Sequence, residues 1–518
     1  MHLALNLVNR LFALYRYIAH SFHVPTSVPG AAGLAGTTTA WAQDEAYRPF
    51  YTPDTLRRHT LALAQRAALR AEMPVPKTGS SEYREHYRRV VQEASADVYN
   101  AIRYAALLDP VVEPYVQQVF ARILRANPQL PAGTRLVLTR NPEPNARAVG
   151  SSTVLLNLGL LPRLENESQL AYVLCHELAH GASHHLATGL HERLTAIHSK
   201  ELRREFRRII DSEYNIGSQL KTLALGFSLS SSYHHRRFER QADSLGYVLL
   251  ARTTYEAPQA YRTLQLLDLI DQPENPAPLP LAAQFGCAGF PRTFGEAAAP
   301  VSIFTVKAAA KTVLETSDTL KSHPDCGKRM RFVQGLAQGR VAEGAQASPP
   351  DFDRIRRLSR LELVQSWFDY ECYDHALFEA LQLLSQQPQS GYLRAMVQLS
   401  LFGLRQHLQQ HTYNEVVSNV SEHQAANFNE LLRTLYGLSP DDFHGLSACF
   451  ARAAPPAEAP AVADEFALAG RYAAAALAAP PTDPAVLALR DDYRRRYPQG
   501  RFVALLPAPP AARAAGRR

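Results

Sequence analysis

Gln169-Leu-Ala-Tyr-Val-Leu-Cys-His-Glu-Leu-Ala-His-Gly-Ala-Ser-His-His185 is the stretch on which the reading of this chain turns. Its Ala- and Leu-rich composition predicts a helix, and inside it stands His176-Glu177-Leu178-Ala179-His180. Successive helical residues lie about 100° apart, so His176 and His180 project from one face, one turn from each other. Two imidazoles so placed can both reach a single Zn²⁺ ion. Glu177 lies beside that face, where its carboxylate can take a proton from a metal-activated water without ligating the metal. A buried helix that carries two histidines by chance would contain the same five residues, so the rest of the chain has to decide.

A later segment supplies the deciding pattern: Tyr233-His-His-Arg-Arg-Phe-Glu-Arg-Gln-Ala-Asp-Ser-Leu-Gly-Tyr247. Glu239 and Asp243 are four apart on an expected helix and share a face. A zinc site needs a third protein ligand from another element, and a carboxylate suits it. A second carboxylate one turn on can accept a hydrogen bond from the far nitrogen of a ligating imidazole and fix its tautomer. Phe238, Ala242, Leu245 and Leu249 would turn this helix toward a core, which disfavours the alternative of two solvated acids on a surface helix.

The composition bounds what surrounds such a site. At 518 residues, with ~150 residues per domain, the chain is expected to hold about three units. Hydrophobic content of 46% and charged content of 20% are those of a globular protein. The net charge of +7 comes from scattered arginines, in small clusters such as Arg203-Arg204 and Arg236-Arg237. No long basic run interleaved with aromatics exists, so nucleic acid is not an expected partner. The five cysteines are odd in number and form no C-x-x-C pair, which argues against a disulfide framework and against a cysteine-based zinc site. Tyr17 to Gln43 lacks Asp, Glu, Lys and Arg and ends in Ala40-Trp41-Ala42-Gln43, an A-x-A cleavage pattern. Residues 1–42 are therefore expected to be an export signal or a disordered tail. No other stretch approaches ~20 uninterrupted apolar residues, so no transmembrane anchor is expected in the mature chain.

Taken in order, Pro53 to Met73, Glu82 to Leu108 and Val116 to Leu124 read as helices. Thr134 to Arg140 alternates as a strand, Asn141 to Asn145 is a turn, and Ala146 to Leu156 reads as a second strand. Glu165-Asn-Glu-Ser168 supplies the acidic, capped start of the metal-binding helix. The Pro-, Ala- and Gly-rich stretch 271–305 is expected to be a long loop. Lys307 to Asp318 and Met330 to Leu336 read as helices, with His323 held extended before a proline. Beyond Asp351 the chain is helical, and Tyr373 to Pro388 resembles the second helix of a tetratricopeptide repeat, with a fainter echo at Gly470 to Leu477. The expected fold is α+β and mostly helical: a zincin-like core with a small sheet, then a C-terminal helical, tetratricopeptide-like domain. The expected boundaries are 43–345 for the first (core motifs 108–336), 351–506 for the second, and a flexible tail at 507–518.

Metzincins place a third histidine six residues after the second of the motif; that position here is Leu186, and His184, His185 and His191 are expected on the surface. The run Asn145-Ala146 … Gly159-Leu-Leu161 … His176-Glu-Leu-Ala-His180 … Phe238-Glu-Arg-Gln-Ala-Asp243 … Gly246 … Ser322-His-Pro324 … Arg329 instead resembles the gluzincin family of CAAX prenyl endopeptidases, HtpX and OMA-type proteases. It is nearest to the soluble periplasmic BepA-type branch. The resemblance implies one Zn²⁺ per chain held by His176, His180 and Glu239, with Glu177 as general base and Asp243 as partner of His176. It also puts His323 and Arg329 at the active site, with His323 either stabilising an oxyanion or blocking the metal as a fourth ligand. Asn145, Ala146, Arg147 and Ala148 would begin an edge strand that pairs with an extended substrate. Arg147 and Gly150-Ser-Ser152 depart from the family's usual aromatic and glycine-rich turn. The implied function is a zinc metalloendopeptidase acting on extended or misfolded proteins in the bacterial periplasm or on the outer side of the membrane, with an assembly partner on the C-terminal helices. An exported chaperone or assembly factor with little proteolysis is the alternative.

Overall fold

The computed structural model describes residues 47–506, apart from 48, 53, 211–235, 271–278, 280, 289, 291–325, 341–347, 422–423 and 454–464. The expected export signal, the 507–518 tail, the helix at Lys307 to Asp318 and His323 lie outside the described residues, as does most of the 271–305 loop. The chain divides into two compact units: one takes Gln43–Asp271 and Phe304–Ser366, the other Gln272–Ile303 and Trp367–Arg518.

The first unit begins with two helices, α1 (Thr55–Glu72) and α2 (Ser81–Ala105). Asp54 and Ser80 cap them, accepting from the backbone N–H groups of Arg57 and Tyr83 and so satisfying donors that a helix start leaves open. Ala62, Leu69, Tyr83, Tyr87, Val91, Val98 and Ile102 form a core with Val137, Val149 and Leu155 of the sheet. α3 (Val112–Ala126) follows.

The sheet has three strands, β1 (Arg135–Thr139), β2 (Ala146–Val149) and β3 (Thr153–Asn157), in the order β1-β3-β2. β1 runs parallel to β3, from Arg135↔Thr153 to Thr139↔Asn157. β2 runs antiparallel to β3, from Ala146↔Leu156 to Val149↔Thr153, and is an edge. The single strand expected over Ala146 to Leu156 is thus a hairpin. Gly150 takes a φ of +67° at the corner, a conformation easy only for glycine. Glu72 of α1 clamps the turn, accepting from Ser151 N at 2.6 Å and Ser152 Oγ at 3.0 Å.

A 3-10 turn over Leu158–Arg163 leads into α4 (Glu167–Ala182), the helix that carries the histidine motif. Asn166 caps it, accepting from Gln169 N at 3.1 Å, while Gln169 Oε1 accepts from Glu165 N at 2.7 Å. Leu170 to Ala179 is buried without a break, which makes α4 a central helix with no solvent face. After it come α5 (His185–Ile197), α6 (Lys200–Ile210), α7 (residues 236–251), α8 (Gln259–Ile270), α9 (Cys326–Leu336) and α10 (Pro350–Asp369). In α10, Glu362 is fully buried and accepts from Phe50 N at 2.9 Å, Arg140 Nη2 at 2.6 Å and the Tyr47 hydroxyl. Such multiple pairing is what a carboxylate out of water requires.

The second unit consists of helices, among them α11 (Tyr373–Leu384), α12 (Gly391–Gln409), α13 (Ala426–Tyr436), α14 (Asp442–Arg452), α15 (Glu465–Ala478) and α16 (Pro484–Arg496). α12 packs on α11 and on α15. Gly470 permits the second contact, since a Cβ there would stand 2.9 Å from Ala395 Cα. The stretch expected as one long loop contains a short helix, Leu281–Phe285, and a cysteine bonded to α14: Cys287 and Cys449 form a disulfide. The odd cysteine count had argued against disulfides; the three remaining cysteines, Cys175, Cys326 and Cys372, are free thiols. Among the described residues no helix is long and apolar enough to cross a membrane.

Candidate metal centre

α7 crosses α4 at very short range. An added Cβ on Gly246 would lie 3.0 Å from His176 Cα and 3.1 Å from its backbone nitrogen, so only glycine lets the helices approach this closely. The crossing delivers Glu239, about two turns earlier on α7, to the two histidines of α4. His176 Nε2 and His180 Nε2 are 3.1 Å apart, His180 Nε2 is 3.3 Å from Glu239 Oε1, and His176 Nε2 is 3.6 Å from Glu239 Oε2. Tetrahedral zinc with bonds of ~2.1 Å separates its ligand atoms by about 3.4 Å. These spacings match, and the set of two imidazoles and one carboxylate is the chemistry such an ion takes, so the residues fit a metal. Among the described residues this is the one cluster of histidine, cysteine and acidic side chains with metal-ligand spacing.

Behind His176 lies a fully buried anchor. Asp243 Oδ1 is 3.1 Å from His176 Nδ1 and accepts from the Tyr172 hydroxyl at 3.0 Å. Arg329 of α9 grips Asp243 with two parallel bonds, Nε to Oδ2 at 2.8 Å and Nη2 to Oδ1 at 2.7 Å. Its Nη1 stands 2.8 Å from Glu239 Oε2. Burial would lower the His176 pKa, but the Asp243 and Glu239 carboxylates outweigh it and push it up to about 9. Burial would raise Asp243, but Arg329 and His176 hold it far below the usual carboxylate range. Arg329 is held above its ordinary value although burial opposes this, because both carboxylates face it. Burial, then Asp243, raises the Tyr172 phenol.

Glu177 points to the other side, toward the sheet. Its Oε2 accepts from the backbone N–H of Ala148 in β2 at 2.7 Å. Ala148 lies opposite Val154, and the N–H it gives to Glu177 belongs to the outer row of the edge strand. A narrow cleft between the two elements is lined by Asn145, Ala146, Tyr172, His176, Glu177 and Leu267.

The structure therefore gathers His176, His180, Glu239, Asp243 and Arg329 around one point, with Asn145, Ala146 and Glu177 lining the cleft and Ala148 bonded to Glu177. Arg147 is exposed and away from the cleft lining. Arg329 also lines the cleft, and its guanidinium reaches Asp243, Glu239 and His176. One expectation is overturned: His184 and His191 are exposed, but His185 is buried, 6% accessible. Its Nδ1 is 2.9 Å from His180 Nδ1, its Nε2 is 3.1 Å from Gln241 Oε1, and its ring stacks on Phe238 with centroids 4.5 Å apart. Burial lowers its pKa to about 4. Its burial depends on Gln241 and Phe238 of α7, which no local spacing in the sequence marks.

The arrangement, a helix with H-E-x-x-H met by a carboxylate from a second helix, defines a gluzincin-type metallopeptidase site. The chain matches the profile of peptidase family M48 over residues 110–337. It is similar to the mitochondrial metalloendopeptidase OMA1 of Schizosaccharomyces pombe, 27% identical over 187 residues, which are 34% of this chain and 50% of that protein. It is also similar to the beta-barrel assembly-enhancing protease of Escherichia coli, 28% identical over 169 residues, which are 32% of this chain and 34% of that protein. The chain thus spans half or less of the length of the curated relatives it matches.

Proposed function

We propose that this chain is a zinc-dependent metalloendopeptidase that hydrolyses peptide bonds of protein substrates. The observation that carries the reading is the meeting of His176, His180 and Glu239 at tetrahedral-edge spacing, with Glu177 and His176 lining one cleft. Zinc, when held by those three residues, supplies a Lewis acid that polarises a carbonyl oxygen and acidifies water at neutral pH. Glu177 is the general base, taking a proton from the attacking water and returning it to the leaving amine. Its bond to Ala148 N–H ties the carboxylate to the edge strand, and Glu177 lines the cleft. Asp243 orients His176 from behind, and Arg329 is a positioning residue that holds Asp243 and Glu239. The outer edge of β2, from Asn145 to Ala148, pairs with an extended peptide, as edge strands do. His323 keeps the role the family resemblance implies, beside the developing oxyanion or as a fourth ligand.

We assign the peptidase role to 43–345 and a client- or partner-holding role to the tetratricopeptide-like helices of 351–506. The stacking of α12 between α11 and α15 supports that second role. Residues 1–42 act as the export signal. The Cys287–Cys449 disulfide supports an exported protein, because such bonds persist in oxidising compartments. With the bacterial relative named for beta-barrel assembly enhancement, the setting we favour is protein quality control in the periplasm of a bacterial envelope. The test is Glu177→Gln, read by zinc content and casein cleavage together. The variant should keep one zinc per chain and lose cleavage by about 10²–10⁴-fold. A Glu177→Gln protein that cleaves casein at the original rate would overturn the assignment.

A further inference from the structure

The two candidate histidine ligands are supported from behind in different ways. His176 has a carboxylate, Asp243, at 3.1 Å from its Nδ1. His180 has another imidazole, with His185 Nδ1 at 2.9 Å from its own Nδ1. The backbone is shaped for that contact. α4 ends at Ala182, His184 adopts a left-handed φ of +53°, and α5 starts at His185. The sharp corner turns the first side chain of α5 back over the last turn of α4.

Two ring nitrogens 2.9 Å apart form a hydrogen bond only if one carries a proton and the other a lone pair. His180 Nε2 faces His176 Nε2 and Glu239 Oε1 at 3.1 and 3.3 Å. A neutral imidazole that ligates through Nε2 carries its proton on Nδ1. His185 Nδ1 must then be the acceptor, and the His185 proton sits on Nε2, where Gln241 Oε1 accepts it at 3.1 Å. Every donor and acceptor in the series Gln241, His185, His180 is matched in a single direction. Phe238 fixes the His185 ring plane by stacking at an interplanar angle of 22°. α7 thus contributes the ligand Glu239, the platform Phe238 and the terminal acceptor Gln241 within one helical turn.

We propose that His185 is a positioning residue for His180: by accepting the Nδ1 hydrogen it selects the tautomer, and holds the ring angle, that present Nε2 to a metal. This rests on the zinc reading above. A histidine that merely fills space would need the Phe238 contact alone, and not two in-line nitrogen contacts.

The experiment measures zinc affinity of the full chain by competition with a chromophoric chelator, alongside the visible absorption of the cobalt(II) form. His185→Phe keeps an aromatic ring on Phe238 but removes the acceptor, and should weaken zinc binding about 10–100-fold and shift the cobalt bands. His185→Asn presents an amide oxygen where Nδ1 stands and should restore both to near the original. Gln241→Leu, which frees the His185 tautomer, should fall between. If His185→Phe does not fold, His185→Asn and His185→Gln carry the test. Glutamine places its amide nearer the Nε2 position, so only asparagine should bind at the original strength. Equal affinities across the variants, with the parent chain binding zinc, would overturn the role of His185 alone. A parent chain that takes up no zinc would overturn the metal reading and this inference with it.

Discussion

Replacing Arg329 with methionine gives the severest test of how this centre is held. Arg329 is 5% accessible and meets two carboxylates, at 2.7 and 2.8 Å on Asp243 and 2.8 Å on Glu239. Methionine keeps most of the volume and removes the guanidinium that contacts both. Breaking a buried pair by removing one partner costs about 3–5 kcal/mol, because the other charge is left uncompensated. At ~2–4 °C per kcal/mol for a unit of this size, the melting point of the metal-free protein should fall by about 6–20 °C. Zinc restores positive charge beside Glu239, so added metal should narrow the gap between Arg329→Met and the parent. The assay is thermal unfolding by circular dichroism, once in chelator and once in excess zinc. A second change, Arg329→Met with Asp243→Asn, removes one orphaned charge and should recover part of the loss, which measures the coupling directly. Arg329→Met melting within about 2 °C of the parent in chelator would refute the claim that this guanidinium anchors the site.

Three further outcomes are expected. His86 is pushed down to about 4, first by burial and then by Arg89 and its neighbour His198, whose Nε2 is 3.2 Å from His86 Nδ1. The unfolded chain therefore takes up the proton first, so this group's contribution to stability declines as pH falls from about 6.5 toward 4. Denaturant melts of His86→Gln should show a flatter acid limb than the parent. Cys287 and Cys449 are 162 residues apart, and closing so long a loop in the unfolded chain is worth up to about 5 kcal/mol. Replacing both by serine should lower the unfolding midpoint while leaving zinc content unchanged. Gly246→Val puts two methyl groups against the His176 backbone, which should push α7 off α4 and cut zinc occupancy, measured by metal analysis of folded protein.

The parts of this molecule legible in sequence are those where one local rule decides. His176-Glu-Leu-Ala-His180 lies in an unbroken apolar helix, and Phe238, Ala242 and Leu249 bury the face that brings Glu239 inward, so two helices and their ligands could be read off periodicity. The edge hairpin could not be read that way. Thr153 and Val154 continue the β pattern of Ala148 and Val149 across Gly150, and only the positive φ at that glycine separates two strands from one. Arg329 was expected at the site but not as the clamp on Asp243, because pairing between residues 86 apart has no local signature. His185 failed for a similar reason: its neighbour is His180, but its role depends on Gln241 and Phe238 from a helix far along the chain. The Cys287–Cys449 bond is the extreme case, since neither flanking sequence carries any mark of the other.

That bond also means the two units are not two lengths of chain. The backbone leaves the first unit after α8, is fastened at Cys287 to a helix 162 residues downstream, and only later comes back to supply Arg329. A shortened protein ending at Ser366 would keep every candidate ligand yet strand a thiol and the helix beside it without their mate. Separating these halves cleanly calls for an internal excision and a splice, not a stop codon.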